Sequence, residues 1–323
     1  MKNIFFVLSF IVSFNLWANS TMLAVVNKSD NSVSIIDVNS KKIIHTLETG
    51  KGPHELALVA DGKYAVSSDF VGGNSLTVFD LVNFKVQQRI DLSQYQGPHG
   101  IHVLSNEQQI LVTSGPTQQL IKVDVIAGKI LATVNTQKVT PHMVSAAENS
   151  DFAYVTNIRS NTISKIKIDD FSLQKQIATE EMPEAIKLSP DGKQLWYGAN
   201  KSGLVTVLNS TTYEQLAQFE GFEFPYRVLF SGDGSVAMVP DFRRHNIRFF
   251  DTTTFKELGG IDLGEQAGPQ GITLDEATDT VYLSLNLQNK VVAIDIHQRK
   301  IIESYPTGNN PDGIVFFNSS VNP

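Results

Sequence analysis

Three histidines occupy the same place in a repeated pattern. His54, His99 and His142 each follow a proline, and Glu184 follows the next proline of the series. Neutral imidazoles with a carboxylate nearby suit Zn, Cu or Fe. Three histidines around an open coordination position also permit hydrolytic chemistry, or the loading and transfer of a metal. The same place holds Tyr226, Gln270 and Asp312 in the remaining repeats. Because these positions are equivalent, one of them facing a central channel implies that the others do. The competing reading is that polar residues there only solvate a channel mouth. His54, His99 and His142 share strand parity with Leu56, Ile101 and Val144, which should pack between sheets, so parity leaves their direction open. Imidazoles on neighbouring strands can also stand too far apart to share an ion at roughly 2.0–2.1 Å.

A second candidate is the loop Asp241-Phe242-Arg243-Arg244-His245-Asn246. Two arginines beside an aromatic suit a carboxylate, a phosphate or an acidic segment of a partner. Arg159 and Arg227 are expected on the same face, giving a local positive sector; a merely solvated loop is the alternative. His102 reads as a further channel residue, and His45 and His297 as ordinary outer-strand or turn residues. No Ser-His-Asp order, phosphate-cradling glycine loop or helical His-Glu-x-x-His motif is present in the sequence.

The elements that must carry these residues follow from the prolines. Pro53, Pro98, Pro141, Pro183, Pro225, Pro269 and Pro311 are spaced by 45, 43, 42, 42, 44 and 42 residues. Each is followed by a short β-type run, and in three repeats an Asp-Gly turn comes next (Asp61-Gly62, Asp191-Gly192, Asp233-Gly234), followed by further runs. Four short strands in about 43 residues is the size of a propeller blade. The ends complement each other. Residues 22–49 read as strands two to four with no first strand, and 313–317 as a first strand with no successors. The fold expected is therefore all-β: a seven-bladed β-propeller of four-stranded blades, its ring closed by a C-terminal strand completing the N-terminal blade. Closure removes open sheet edges.

Composition narrows the function. The chain has 323 residues, 41% hydrophobic and 18% charged, with mean hydropathy −0.07, which excludes a membrane bundle or a disordered chain. Lys2, the apolar run from Ile4 to Phe14 and the small residues Ala18 and Ser20 describe a secretory signal peptide over 1–20, leaving 21–323 as a single domain in the periplasm or secreted. That run is too short for a span of roughly 20 residues, so no membrane span is expected after cleavage. The absence of cysteine excludes disulfides, thiolate metal sites and covalently attached c-type haem. A formal charge of −7 argues against broad nucleic-acid binding.

Tyr154-Val155-Thr156-Asn157 and the run from Pro183 to Gly192 resemble the YVTN-family β-propeller repeat, a WD-like unit, over essentially all of 22–317. The second-strand end departs from Asn at Asp69, Gly115 and Asp241. The resemblance implies the fold; members serve as adhesive modules, exported binding proteins, propellers holding haem or copper, and a few lactonases or lyases. The function expected is a non-enzymatic scaffold taking a protein or small-molecule ligand at its channel mouth. Its contacts would come from Glu184, Tyr226, Arg227, Gln270, Asp312, Arg243, Arg244 and Arg159. The alternative is a metal- or haem-binding propeller using His54, His99 and His142 for Zn, Cu or haem iron, as an enzyme, assembly factor or metallochaperone.

Overall fold

The computed structural model describes residues 20–319 except Asn149. The expected signal peptide lies outside the described residues apart from Ser20, which begins the first strand. Seven four-stranded antiparallel sheets are arranged in a ring. Blades are named here by the proline that opens their innermost strand: Pro53–Val59, Pro98–Val103, Pro141–Ala146, Pro183–Leu188, Pro269–Asp275 and Pro311–Ser319. In the Pro225 blade this strand is reduced to Leu229–Phe230, and Pro225 itself makes a single bridge to Asp241.

Ring closure is as the sequence implies. Pro311–Ser319 pairs antiparallel with Ser20–Asn27, matching Met22 with Phe317 and Val25 with Ile314, and it forms the inner edge of the blade whose other strands come from the N-terminus. Among the described residues no helix is long and apolar enough to cross a membrane.

Middle strands are buried on both faces because each lies between neighbouring blades, whereas outermost strands such as Lys85–Asp91 alternate exposed and buried. The core is thus a set of inter-blade seams. One of them holds fully buried Trp196 with Phe219 and Phe230 at ring-centroid distances of 5.5 and 5.9 Å, a geometry in which aromatic pairs contribute beyond area burial alone.

The recurring aspartates at the ends of the third strands are turn-formers. Asp80 Oδ1 accepts the backbone N–H groups of Val82 and Asn83, and Asp251 Oδ1 those of Thr253 and Thr254. Second-strand Asn and Asp residues reach hydroxyls on the third strand: Asn27 to Ser32 and Ser34, Asn157 to Thr162 and Ser164, Asp69 to Ser75 and Thr77, whereas Asp241 accepts the backbone N–H groups of Arg243 and Arg244. All are buried, and for Asn27, Asn157 and Asp69 the strand beside them supplies the nearest partners.

Candidate functional site

Each innermost strand starts with an irregularity that settles the direction of the histidines. Pro53 pairs with Asp69 but Leu56 pairs with Ser67, a one-residue slip; the same slip follows Pro98, Pro141, Pro183 and Pro269. The extra residue decouples the start of the strand from the parity of its body. His54, His99 and His142 are therefore released from the inter-blade face taken by Leu56 and Val144. Glycine permits this packing where the next blade comes closest. A Cβ on Gly271 would lie 2.0 Å from the Asp312 carbonyl oxygen, and one on Gly100 would lie 2.4 Å from that of His142.

The three imidazoles form a stack. His99, 1% exposed, lies between His54 and His142 at centroid distances of 4.2 and 3.7 Å, and Phe70 meets its edge at 4.6 Å. Neither ring nitrogen of His99 makes a hydrogen bond of good geometry among the described residues; the His142 backbone, close by, only weakly favours its protonated form. Its neighbours are partnered. His142 Nε2 is 2.8 Å from Glu184 Oε1, and Glu184 also accepts from Asn200 Nδ2 at 3.2 Å. His54 Nδ1 is 3.1 Å from Asp312 Oδ2 and 3.2 Å from Glu55 Oε1. The Tyr226 hydroxyl donates to Asp312 Oδ2 at 3.2 Å, and Lys28 joins Asp312 to Gln270 with contacts of 3.1 Å each.

Arg227 crosses the channel. It comes from the Pro225 blade and pairs with Glu55 of the Pro53 blade, on the far side of the ring. Its guanidinium lies 4.1 Å over the Tyr226 ring and donates to the Tyr226 carbonyl at 2.7 Å.

Burial alone would raise the carboxyls of Glu55, Glu184 and Asp312, but the charges around them reverse the direction. Arg227 and His54 hold Glu55 below its ordinary value. His142 and Arg227 do so for Glu184, and His54, Lys28 and Arg227 for Asp312. Burial, then the His142 and His54 imidazoles and Arg227, push His99 far below the usual imidazole value, so it is neutral. Three carboxylates then face two fixed cations, Arg227 and Lys28, which leaves room for one more positive charge. Candidate donor atoms of His54, Glu55 and His99 lie within 4.8 Å of one another.

Of the residues singled out from sequence, His54, His99, His142, Glu184, Tyr226, Arg227 and Asp312 meet in this cluster, and Gln270 joins it through Lys28. Arg243, Arg244 and Arg159 do not. Arg243 is exposed above the Phe224 ring at 5.2 Å, Arg244 pairs with Glu223 at 3.4 Å, and Arg159 is exposed in a single 3-10 turn. Arg227 is 8% exposed and tied to Glu55, so it is not part of an open positive sector. Sequence reasoning missed Glu55, Phe70, Lys28 and Asn200. A signal for Glu55 existed: the second residue after each proline runs Glu55, Gly100, Met143, Ala185, Arg227, Gly271, Gly313, one acid and one base on opposite sides of the ring.

Residues 18–151 match the model of the YNCE-like beta-propeller family. Over that stretch the chain is similar to a YNCE-like propeller. The YncE proteins of Salmonella typhi and Salmonella typhimurium are 26% identical to it over 205 residues, 62% of this chain. The match spans 54% of the length of each of these curated relatives. Among solved structures, a functionally unknown protein from Desulfotomaculum acetoxidans superposes with TM-score 0.76 at 15% identity, over 92% of this chain and 99% of that one. Kuenenia stuttgartiensis hydrazine synthase gives 0.72 at 16%, over 86% and 98%. The dihydro-haem d1 dehydrogenase NirN gives 0.66 at 14%, over 91% and 74%. These three likenesses show the propeller fold.

Proposed function

We propose that this propeller is an exported binding protein that holds a transition-metal ion beneath its channel mouth, with His54, Glu55 and His99 as donors and His142 and Glu184 beside them. The observation that carries this reading is His99. A buried imidazole with both nitrogens unpartnered forfeits on the order of 1–3 kcal/mol per unsatisfied group, and it stands among other imidazoles and a carboxylate. Metal ligation requires neutral imidazole and ionised carboxylate, and those are the states this environment favours for His99 and Glu55. Imidazole-rich donor sets suit Zn, Cu and Fe. A bare ion fits better than a haem, because the His99 faces are covered by His54 and His142 and its edge by Phe70. Export rests on the N-terminal basic, apolar and small-residue pattern.

The experiment is elemental mass spectrometry of untagged protein from the exported fraction, followed by titration of the apoprotein with Zn or Cu salts. Stoichiometric metal that is lost in His99→Ala and retained in His297→Ala supports the proposal. Protein that is empty as isolated and takes up neither ion on titration overturns it. A Soret band in the absorption spectrum would replace the bare ion with haem.

A further inference from the structure

The channel has a second end, built from different residues. Along each innermost strand the His cluster lies at the opening proline, the Glu55–Arg227 pair comes one residue later, and the following residues line a cavity of about 1060 Å³. That volume is just above the roughly 300–1,000 Å³ usual for small-molecule sites. The walls are mixed: an apolar strip that includes Leu58, Val103, Leu229, Phe230 and Leu274 runs beside polar side chains. The turns around the opening carry the exposed acids Glu107, Glu148 and Glu276. The channel-crossing ion pair separates this cavity from the mouth.

Two lysines line the cavity: Lys122 donates to the Ile168 carbonyl at 2.6 Å, whereas Lys187 is unpartnered among the described residues. Lys187 is half-buried, and its ammonium has no ion pair or hydrogen bond among those residues. Burial lowers its ammonium below the ordinary lysine value, with no acid beside it to offset that shift. Its charge in turn lowers His102, whose imidazole lines the same cavity. A buried cation without a partner is costly, and an anion placed against it recovers that cost.

We infer that this cavity binds a small amphipathic monocarboxylate, its carboxylate on Lys187 and its apolar body along Leu58, Val103, Leu229 and Leu274. The apolar strip of the wall favours an aliphatic or aromatic body. The acidic rim repels polyanions such as nucleotides and phosphates, and leaves a single carboxylate as the anionic group that can pass it. The neutral His102 imidazole offers a hydrogen bond beside the ammonium. The site is independent of the metal proposal.

Octanoate titrated into the full-length mature protein by calorimetry tests this, with octan-1-ol as the uncharged control. The expected result is saturable octanoate binding that weakens by about tenfold or more in Lys187→Met, while octanol binding is unchanged. Leu229→Trp, which fills the cavity, should abolish both, and His99→Ala should change neither. Lys187→Met removes an unpaired buried charge, so it is not expected to unfold the protein, and a melting curve checks this. No octanoate binding, or binding that Lys187→Met leaves intact, overturns the inference.

Discussion

Arg227 shows how charge is held in this channel. Its guanidinium faces Glu55 directly and lies near Glu184 and Asp312 as well, so its removal leaves buried carboxylates without their main counter-charge. Arg227→Met should therefore destabilise the fold by about 3–5 kcal/mol, and Glu55→Leu in the same chain should restore much of that loss. Urea unfolding of the two single variants and the double variant measures the coupling, and additive losses would contradict it. His102 gives a prediction in pH. Burial, then the Lys187 ammonium, push its imidazole from 6.5 down to about 3. Between those values the unfolded chain binds a proton that the folded chain refuses, so stability falls as pH drops through this window and is fully present above it. The slope approaches about 1.4 kcal/mol per pH unit. His102→Gln should flatten the dependence of the urea midpoint on pH below 6.5, and an unchanged slope would remove His102 as its source.

At the scale of the strand, the decisive feature is the one-residue slip behind each opening proline. Prolines and turn pairs are written in the sequence, and they located the strands to within a residue or two. The slip is not written there, because it arises from how one blade's strand settles against the next. Parity counted from Leu56 or Val144 could not say which way His54 or His142 faces, and only the register decided it. The same packing explains why Arg243 and Arg244, prominent in sequence, stay outside the cluster while the inconspicuous Glu55 enters it. Loop arginines are placed by the hairpin tip, whereas the second residue after a proline is placed by the channel. Gly271 tests the packing directly. A Cβ there meets the Asp312 carbonyl at 2.0 Å, whereas one on Gly62 meets nothing within 4 Å. Gly271→Ala should cost about 3 kcal/mol or more, because the overpacked neighbour is backbone that cannot swing aside. Gly62→Ala should cost only the roughly 1–2 kcal/mol of its left-handed backbone. Equal thermal shifts in the two variants would contradict the account.

For the whole molecule, the ring was the most legible feature, since an unfinished blade at each end of the chain implies a partner for both. A closed ring also creates a narrow channel whose two ends are chemically unlike. One end gathers imidazoles and carboxylates around a charge deficit, the other sets an unpartnered lysine beside an apolar strip, and the Glu55–Arg227 bridge stands between them. The period of the sequence could announce that a channel exists, but its contents depend on which of seven equivalent positions carry charge and how they meet across the ring. The central claim is that His99 lacks partners because it is a metal ligand. The most direct test is an anomalous-difference map from crystals of the mature protein grown with Zn or Cu, collected at the corresponding absorption edge. The account predicts a peak at bonding distance, roughly 2.0–2.1 Å, from a His99 ring nitrogen. A map with no peak there, or with density only at exposed histidines such as His297, would contradict it.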